Sequence, residues 1–206
     1  MTFLRKKRVF ALLLVGFLLV LFMNSSFIGR KLYPIYFEQE IKQSAAKHKV
    51  DPFLIAAIIR VETNYRHHLE SKKGALGLMQ LMPDTAEWIV QSTNLEPHAP
   101  EDLLKVDVNI NLGSWYLSWL NKHYNGNLFY TIAAYNAGQG NVNKWKQNDI
   151  WDGSQANINQ IPFGETRHYV SRVLYYYEKY TNLYSDRWGT EGSESSASVQ
   201  NKEALD

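Results

Sequence analysis

The sequence predicts a mainly α-helical domain carrying at most a small β hairpin. Three stretches make the case. Residues 52–63 are apolar nearly all round, the pattern of a helix buried in a core. Leu112, Trp115, Tyr116, Trp119 and Leu120 recur at the i, i+3, i+4, i+7, i+8 spacing of an amphipathic helix. Gly74 and Gly77 interrupt the stretch from 70 to 82, so irregular backbone or a short hairpin is expected there rather than helix.

The elements follow in chain order. Residues 9–23 lack charged or strongly polar side chains, and Asn24 to Ile28 extend the run to about the twenty residues a bilayer-spanning helix needs. Arg5, Lys6, Lys7 and Arg8 precede it, and such positive clusters stay on the cytoplasmic side. Residues 1–30 are therefore read as a cytoplasmic tip and single-pass membrane anchor, with the domain extracytoplasmic. The competing reading is a cleaved signal peptide, which needs a small-residue site after a shorter apolar core. Phe27-Ile28-Gly29-Arg30-Lys31 stands there instead and favours the anchor. Both readings export the domain.

Residues 31–184 are assigned to one domain, compact from about residue 38. After a short connection to Phe37, Glu38–Lys49 reads as a first helix with Ile41, Ala45 and Ala46 on one side. Asp51 is a good helix cap and Pro52 a good first helical residue, because proline has no amide hydrogen to leave unsatisfied. The buried helix runs from Pro52 to about Thr63. A loop follows to Leu76, a helix starts at Pro83, Asn94–Pro100 is a loop, and residues 107–124 form the amphipathic helix. Phe129–Ala137 is a helix closed by Gly138, residues 147–160 are loop-like, and Thr166–Tyr180 is a last, tyrosine-rich helix. Beyond about Ser185 Gly, Ser and Glu dominate, a composition too polar to order itself, so 185–206 is read as a disordered tail.

Composition narrows the chemistry. The net charge is only +2, partly from the N-terminal cluster, which disfavours nucleic acid as a partner. With no cysteine, disulfides, thiolate metal sites and a thiol nucleophile are excluded. The six histidines show no metal-ligand spacing, so no metal is assigned. Six Trp and thirteen Tyr exceed what core filling needs and suggest a ligand suited to flat, amphipathic rings.

Glu62 is the first candidate for chemistry. Ile58 and Leu54 lie four and eight positions before it, so its side chain continues an apolar stripe. Desolvation there disfavours the charged form and keeps a general acid protonated near neutral pH. The plainer reading is a solvated glutamate at a helix end, or one that caps a loop. Spacing leaves both open.

The neighbouring motifs bear on the choice. Glu62-Thr63-Asn64, then Ser71 to Ala86 with Gly74-Ala75-Leu76-Gly77-Leu78-Met79-Gln80-Leu81-Met82-Pro83 at its centre, are followed by Ala133-Ala134-Tyr135-Asn136-Ala137-Gly138 with Val142 and Trp145. Ile161-Pro162 and Glu165-Thr166-Arg167-His168-Tyr169-Val170 come last. In kind and order these four motifs, spanning about residues 38–181, resemble the soluble lytic transglycosylase (SLT) family. The resemblance implies a lysozyme-like fold, peptidoglycan glycan strands as the partner, no cofactor, and Glu62 as the single acid/base. It matches Ser71, Gln80 and Met82 to positions lining the glycan cleft, Tyr135 to the tyrosine that orients the catalytic carboxyl, and Glu165 and Tyr169 to substrate-contacting positions. One departure is Thr63, where the family usually has Ser; the hydroxyl is kept and a stiff methyl added.

The residues themselves are compatible with those roles. Gly74 and Gly77 allow close backbone approach or a tight turn. Gln80 offers donor and acceptor to an N-acetyl amide, Met79 is read as core filler, and Asn136 is as suited to a structural hydrogen bond as to ligand contact. Ordinary glycosidases use two carboxyls about 5–5.5 Å or about 6.5–9.5 Å apart. Here the motifs supply one obvious carboxyl: Asp84 is read as opening a helix and Glu165 as starting or capping the last one, although Glu165 is also the one candidate for a second acid in the cleft. The resemblance accordingly implies cleavage between MurNAc and GlcNAc without water: Glu62 protonates the leaving oxygen, then takes the proton from the MurNAc O6 hydroxyl as a 1,6-anhydro ring closes. A hydrolytic muramidase and a non-catalytic, membrane-anchored glycan-binding domain are the alternatives.

Overall fold

The structure is a computed structural model, described here for residues 2–23, 26–93 and 100–188. The loop expected at 94–100, apart from Pro100, and the tail beyond Trp188 lie outside the described residues, as do Asn24 and Ser25 of the apolar run. The helices are α1 (Thr2–Met23), α2 (Ser26–Leu32), α3 (Glu38–His48), α4 (Pro52–Glu62), α5 (Pro83–Gln91), α6 (Val106–His123), α7 (Leu128–Ala137), α8 (Gln139–Gln147) and α9 (Gly164–Trp188). Short 3₁₀ turns occupy Pro100–Leu104 and Ile158–Gln160. Among the described residues there is no strand: the expected hairpin reduces to two isolated antiparallel bridges, Glu70 with Leu76 and Leu76 with Leu81.

Helix α4 is the axis of the fold. Asp51 accepts the Phe53 amide at 2.8 Å, and Pro52 stands in the first turn. Ile55 to Ile59 are completely buried, sandwiched by α3 and α9 with α7 against α9. A second, smaller apolar cluster joins Leu76, Leu81, Ala86, Ile89, Leu103 and Leu112 around α5 and α6. The loop from Asn64 to Met82 joins these clusters and puts the end of α4 between them.

Two elements depart from the sequence reading. Helix α8 was not expected, because only Val142 and Trp145 of its nine residues are buried; too narrow a stripe registers weakly in hydrophobic periodicity. Helix α9 continues eight residues past Tyr180, so 185–188 is helix rather than tail. Tertiary burial extends it. Tyr184 is buried, and Trp188 stacks on Phe53 at 5.1 Å and donates from its indole nitrogen to Glu38 at 3.1 Å.

That extension also receives the N-terminal segment. Arg30, in α2, donates to the Leu183 carbonyl at 2.8 Å and pairs with Asp186 at 3.0 Å. The Tyr184 hydroxyl donates to the Tyr33 carbonyl at 3.0 Å, and the Tyr33 and Tyr175 hydroxyls are 2.8 Å apart. Gly29 lies against Leu183, where any side chain would collide with it. Among the described residues no single helix is long and apolar enough to cross a membrane; α1 and α2 together reach that length, with a 63° bend between them.

Candidate active site

Glu62 is the last residue of α4 and is partly buried. Burial pushes its carboxyl up to about 7. The Tyr169 hydroxyl and the Arg172 guanidinium oppose that rise, and the Glu165 carboxylate reinforces it. Tyr169 reaches across from α9 and donates to Glu62 Oε1 at 2.7 Å. The next residue, Thr63, is buried and holds its hydroxyl 3.0 Å from the Leu78 carbonyl and 3.2 Å from that of Ile59. The hydroxyl expected to persist at this position therefore fastens the end of α4 to the cleft loop.

The loop itself is held by a buried polar clamp. Asn109 of α6 accepts the Met79 amide at 2.7 Å and donates to the carbonyls of Leu76 and Leu103 at 2.9 and 2.8 Å. Tyr135 of α7 donates to the Met79 carbonyl at 2.9 Å, so the Met79 residue is gripped at both its backbone groups. Gly77 has φ +72°, and a Cβ there would collide with the Leu103 carbonyl and the Asn109 amide. Only glycine satisfies both conditions.

The candidate residues divide accordingly. Glu62 and Tyr169 meet directly. Tyr135 lies close enough for Glu62 to raise its hydroxyl, after burial, well above the ordinary value, yet its hydrogen bond goes to Met79. The carboxyl-orienting hydrogen bond expected from Tyr135 is thus made by Tyr169, because the Met79 carbonyl already takes the Tyr135 proton. Gln80, at φ 48°, spends its amide donor on the carbonyls of Leu69 and Gly77, at 3.1 and 2.9 Å. Its Oε1 makes no hydrogen bond among the described residues. Ser71 accepts from the Ala75 amide at 2.9 Å and shapes the turn before the loop. Met82 is 40% exposed, enough for a ligand to rest on, whereas Met79 is fully buried. Glu165 is exposed at the start of α9. Asn136 accepts from the Thr166 hydroxyl at 2.8 Å and ties α7 to α9, the structural role.

An aromatic wall continues from Tyr135. Tyr116 lies 5.5 Å from it, ring to ring, and Trp88 packs edge-on against Tyr116, Trp115 and Trp119. Beside it a groove of about 260 Å³ is lined by Asp84, Thr85, Trp88, Tyr116 and Gln139. Such rings present flat apolar faces with polar edges, which suit the face of a sugar.

The profile of the transglycosylase SLT domain matches residues 39–158. The chain belongs to this family. The SLT chain is 33% identical over 157 residues to the soluble lytic murein transglycosylase of Escherichia coli K12, covering 75% of itself and 24% of that protein. Its counterpart in Salmonella typhimurium is 39% identical over 122 residues, 58% of this chain and 19% of the other. Among solved structures, the 70 kDa soluble lytic transglycosylase of Escherichia coli superposes with a TM-score of 0.72 at 30% identity, over 80% of this chain and 27% of that one. An inactive glutamate-to-glutamine mutant of the lytic transglycosylase Slt from Pseudomonas aeruginosa gives 0.67 at 35% identity, over 73% and 24%. The SLT chain thus spans about a quarter of the length of these relatives, and its helical, lysozyme-like fold is theirs.

Residues missed in the sequence are chiefly Asn109 and Arg172. An asparagine in the interior of an otherwise apolar helix face was the available signal for the first. Arg172 carried none until α9 placed it one turn beyond Tyr169.

Proposed function

We propose that this protein is a peptidoglycan lytic transglycosylase that cleaves the β-1,4 bond between MurNAc and GlcNAc and leaves a 1,6-anhydroMurNAc end. The observation that carries the reading is the Glu62 carboxyl, pushed up to about 7 by burial and held by Tyr169. Near neutral pH such a group is divided between acid and base, which is what a residue serving both steps requires. Protonated, it gives its proton to the glycosidic oxygen. The positive charge growing at the anomeric carbon is relieved by the substrate's own N-acetyl group. As a carboxylate accepting from Tyr169, Glu62 then takes the O6 proton and the ring closes. Ser71, Gln80, Met82, Tyr135 and Glu165 are the proposed substrate contacts, with Tyr169 serving both carboxyl and glycan.

The nature of the product tests this. Digestion of purified peptidoglycan, followed by mass spectrometry, should give muropeptides lighter by one water than the reducing form, with no oxygen taken up from isotopically labelled water. A reducing MurNAc end would make the enzyme a muramidase instead; no cleavage at all would leave a glycan-binding domain.

Tyr169→Phe gives a second expected result with a definite sign. The hydroxyl favours the charged form of Glu62, so its loss moves the alkaline limb of activity to higher pH. The rate should fall by about tenfold as the carboxyl loses a charge-assisted hydrogen bond. A pH–rate profile measures both.

We further infer that residues 1–30 anchor the enzyme in the cell membrane with the amino end cytoplasmic. The basic cluster ahead of the apolar run supports this, as does the docking of α2 on α9, which leaves α1 projecting with exposed apolar side chains. Membrane fractionation with protease protection of each end checks it; a shortened mature chain in the soluble fraction would mean a signal peptide.

A further inference from the structure

Glu165, Tyr169 and Arg172 are spaced by four and three residues on α9, so they lie on one face of that helix. The middle one touches Glu62. Arg172, one turn further on, is exposed and lies close enough to act on the same carboxyl. Four other arginines of the domain are occupied, and Arg187 stands fifteen residues further along α9, far from Glu62. Arg30 binds Leu183 and Asp186, Arg60 lies over the Tyr176 ring, Arg66 donates to the Thr63 carbonyl and Arg167 to that of Asn159. Arg172 makes no hydrogen bond or ion pair among the described residues. Its charge also works against a protonated acid, since it favours the carboxylate form of Glu62. An unengaged cation that opposes the first chemical step fits a site where substrate supplies the missing anion.

We propose that Arg172 binds a carboxylate carried on the MurNAc side arm of the substrate, next to the bond that Glu62 cuts; this deepens the glycan-cleaving reading and rests on it. A guanidinium presents two parallel N–H donors to a carboxylate, a geometry the neutral amide cannot match. MurNAc carries such a group in one of two places: the lactyl arm itself where the peptide stem is absent, or the isoglutamate of an attached stem. Glu165, seven residues back, repels an anion and leaves Arg172 as the favoured end of the face.

Binding also changes the acid. The groups facing Glu62 are Tyr169, Arg172 and Glu165 from α9 and Tyr135 from α7. When a substrate carboxylate neutralises Arg172, the cation's pull on Glu62 is cancelled and the acid stays protonated to higher pH. An anionic substrate therefore prepares the catalyst that cuts it.

Four short synthetic glycans test this with the full chain: a free lactyl acid and its methylamide, and a stem ending in isoglutamate and its isoglutamine counterpart. For the wild type, the acid of one pair should have a KM lower than its amide by about tenfold, the usual worth of a charge-assisted pair, and a more alkaline limb in its kcat profile. The pair that discriminates identifies the source of the carboxylate. Arg172→Gln should erase both differences, leaving the amide KM and the melting temperature as they are and moving the alkaline limb for the amide up to that of the acid, and Arg172→Lys should restore part of the KM difference. Equal treatment of acid and amide by the wild type, or equal losses on both in Arg172→Gln, overturns the proposal. Calorimetric binding of the same glycans to Glu62→Gln, with and without Arg172→Gln, separates the two readings. Acid-selective binding that needs Arg172, with no turnover by the wild type, sinks the cleavage reading and keeps the site; turnover without selectivity does the reverse.

Discussion

Glu62→Gln should lower turnover of peptidoglycan by about 10²–10⁴-fold, the usual worth of a positioned general acid, and should at the same time make the folded protein harder to unfold at alkaline pH. The amide keeps the shape of the side chain and can still accept from Tyr169, so glycan binding is expected to persist. The stability gain follows from linkage. A carboxyl whose value rises from 4.5 to about 7 on folding binds more protons in the native state than in the unfolded one. Its contribution is fully present below about 4.5 and lost as the pH climbs through about 7, leaving a penalty on the order of 3 kcal/mol above that. Glutamine carries no such penalty. Melting curves at pH 5 and pH 8 for both proteins, with turnover measured beside them, check the pair of outcomes. Full activity in the variant ends the catalytic proposal; unchanged alkaline stability would mean the carboxyl is not desolvated.

Asn109→Ala is expected to be strongly destabilising. It strands the Met79 amide and the Leu103 carbonyl in a buried place and takes one of two donors from the Leu76 carbonyl, which keeps the Leu81 amide, for a sum of about 3 kcal/mol. In a domain of this size that is about 10 °C in Tm. Activity should fall too, because Met79 holds Tyr135 and leads into Gln80 and Met82. Urea unfolding gives the stability change, and a loss under about 1 kcal/mol would show that the clamp is not what holds the loop.

These two residues mark what could and could not be read from the chain. The desolvation of Glu62 was legible because a carboxyl four and eight residues after Ile58 and Leu54 is a local pattern. The helices α4 and α6 were legible for the same reason. Asn109 was not, since its partners lie 30 and 33 residues back and 6 residues back, and nothing in its own neighbourhood announces them. Which tyrosine hydroxyl reaches Glu62 depends on the Met79 carbonyl, which takes the Tyr135 proton and is a backbone group with no signature in sequence. The end of α9 was misplaced because Trp188 is ordered by Phe53 and Glu38, on distant helices.

Helix α9 meets Glu62 through Tyr169 near one end and, near the other, receives α2 and the residue after it through Tyr184, whose hydroxyl reaches the carbonyls of Arg30 and Tyr33. Those fifteen residues span about 22 Å at the rise of an α-helix. The helix fixes the length between these two contacts. If residues 1–30 are held in a lipid bilayer, as proposed, the mooring of α2 and the cutting point are set apart by the length of a helix rather than by a flexible tether.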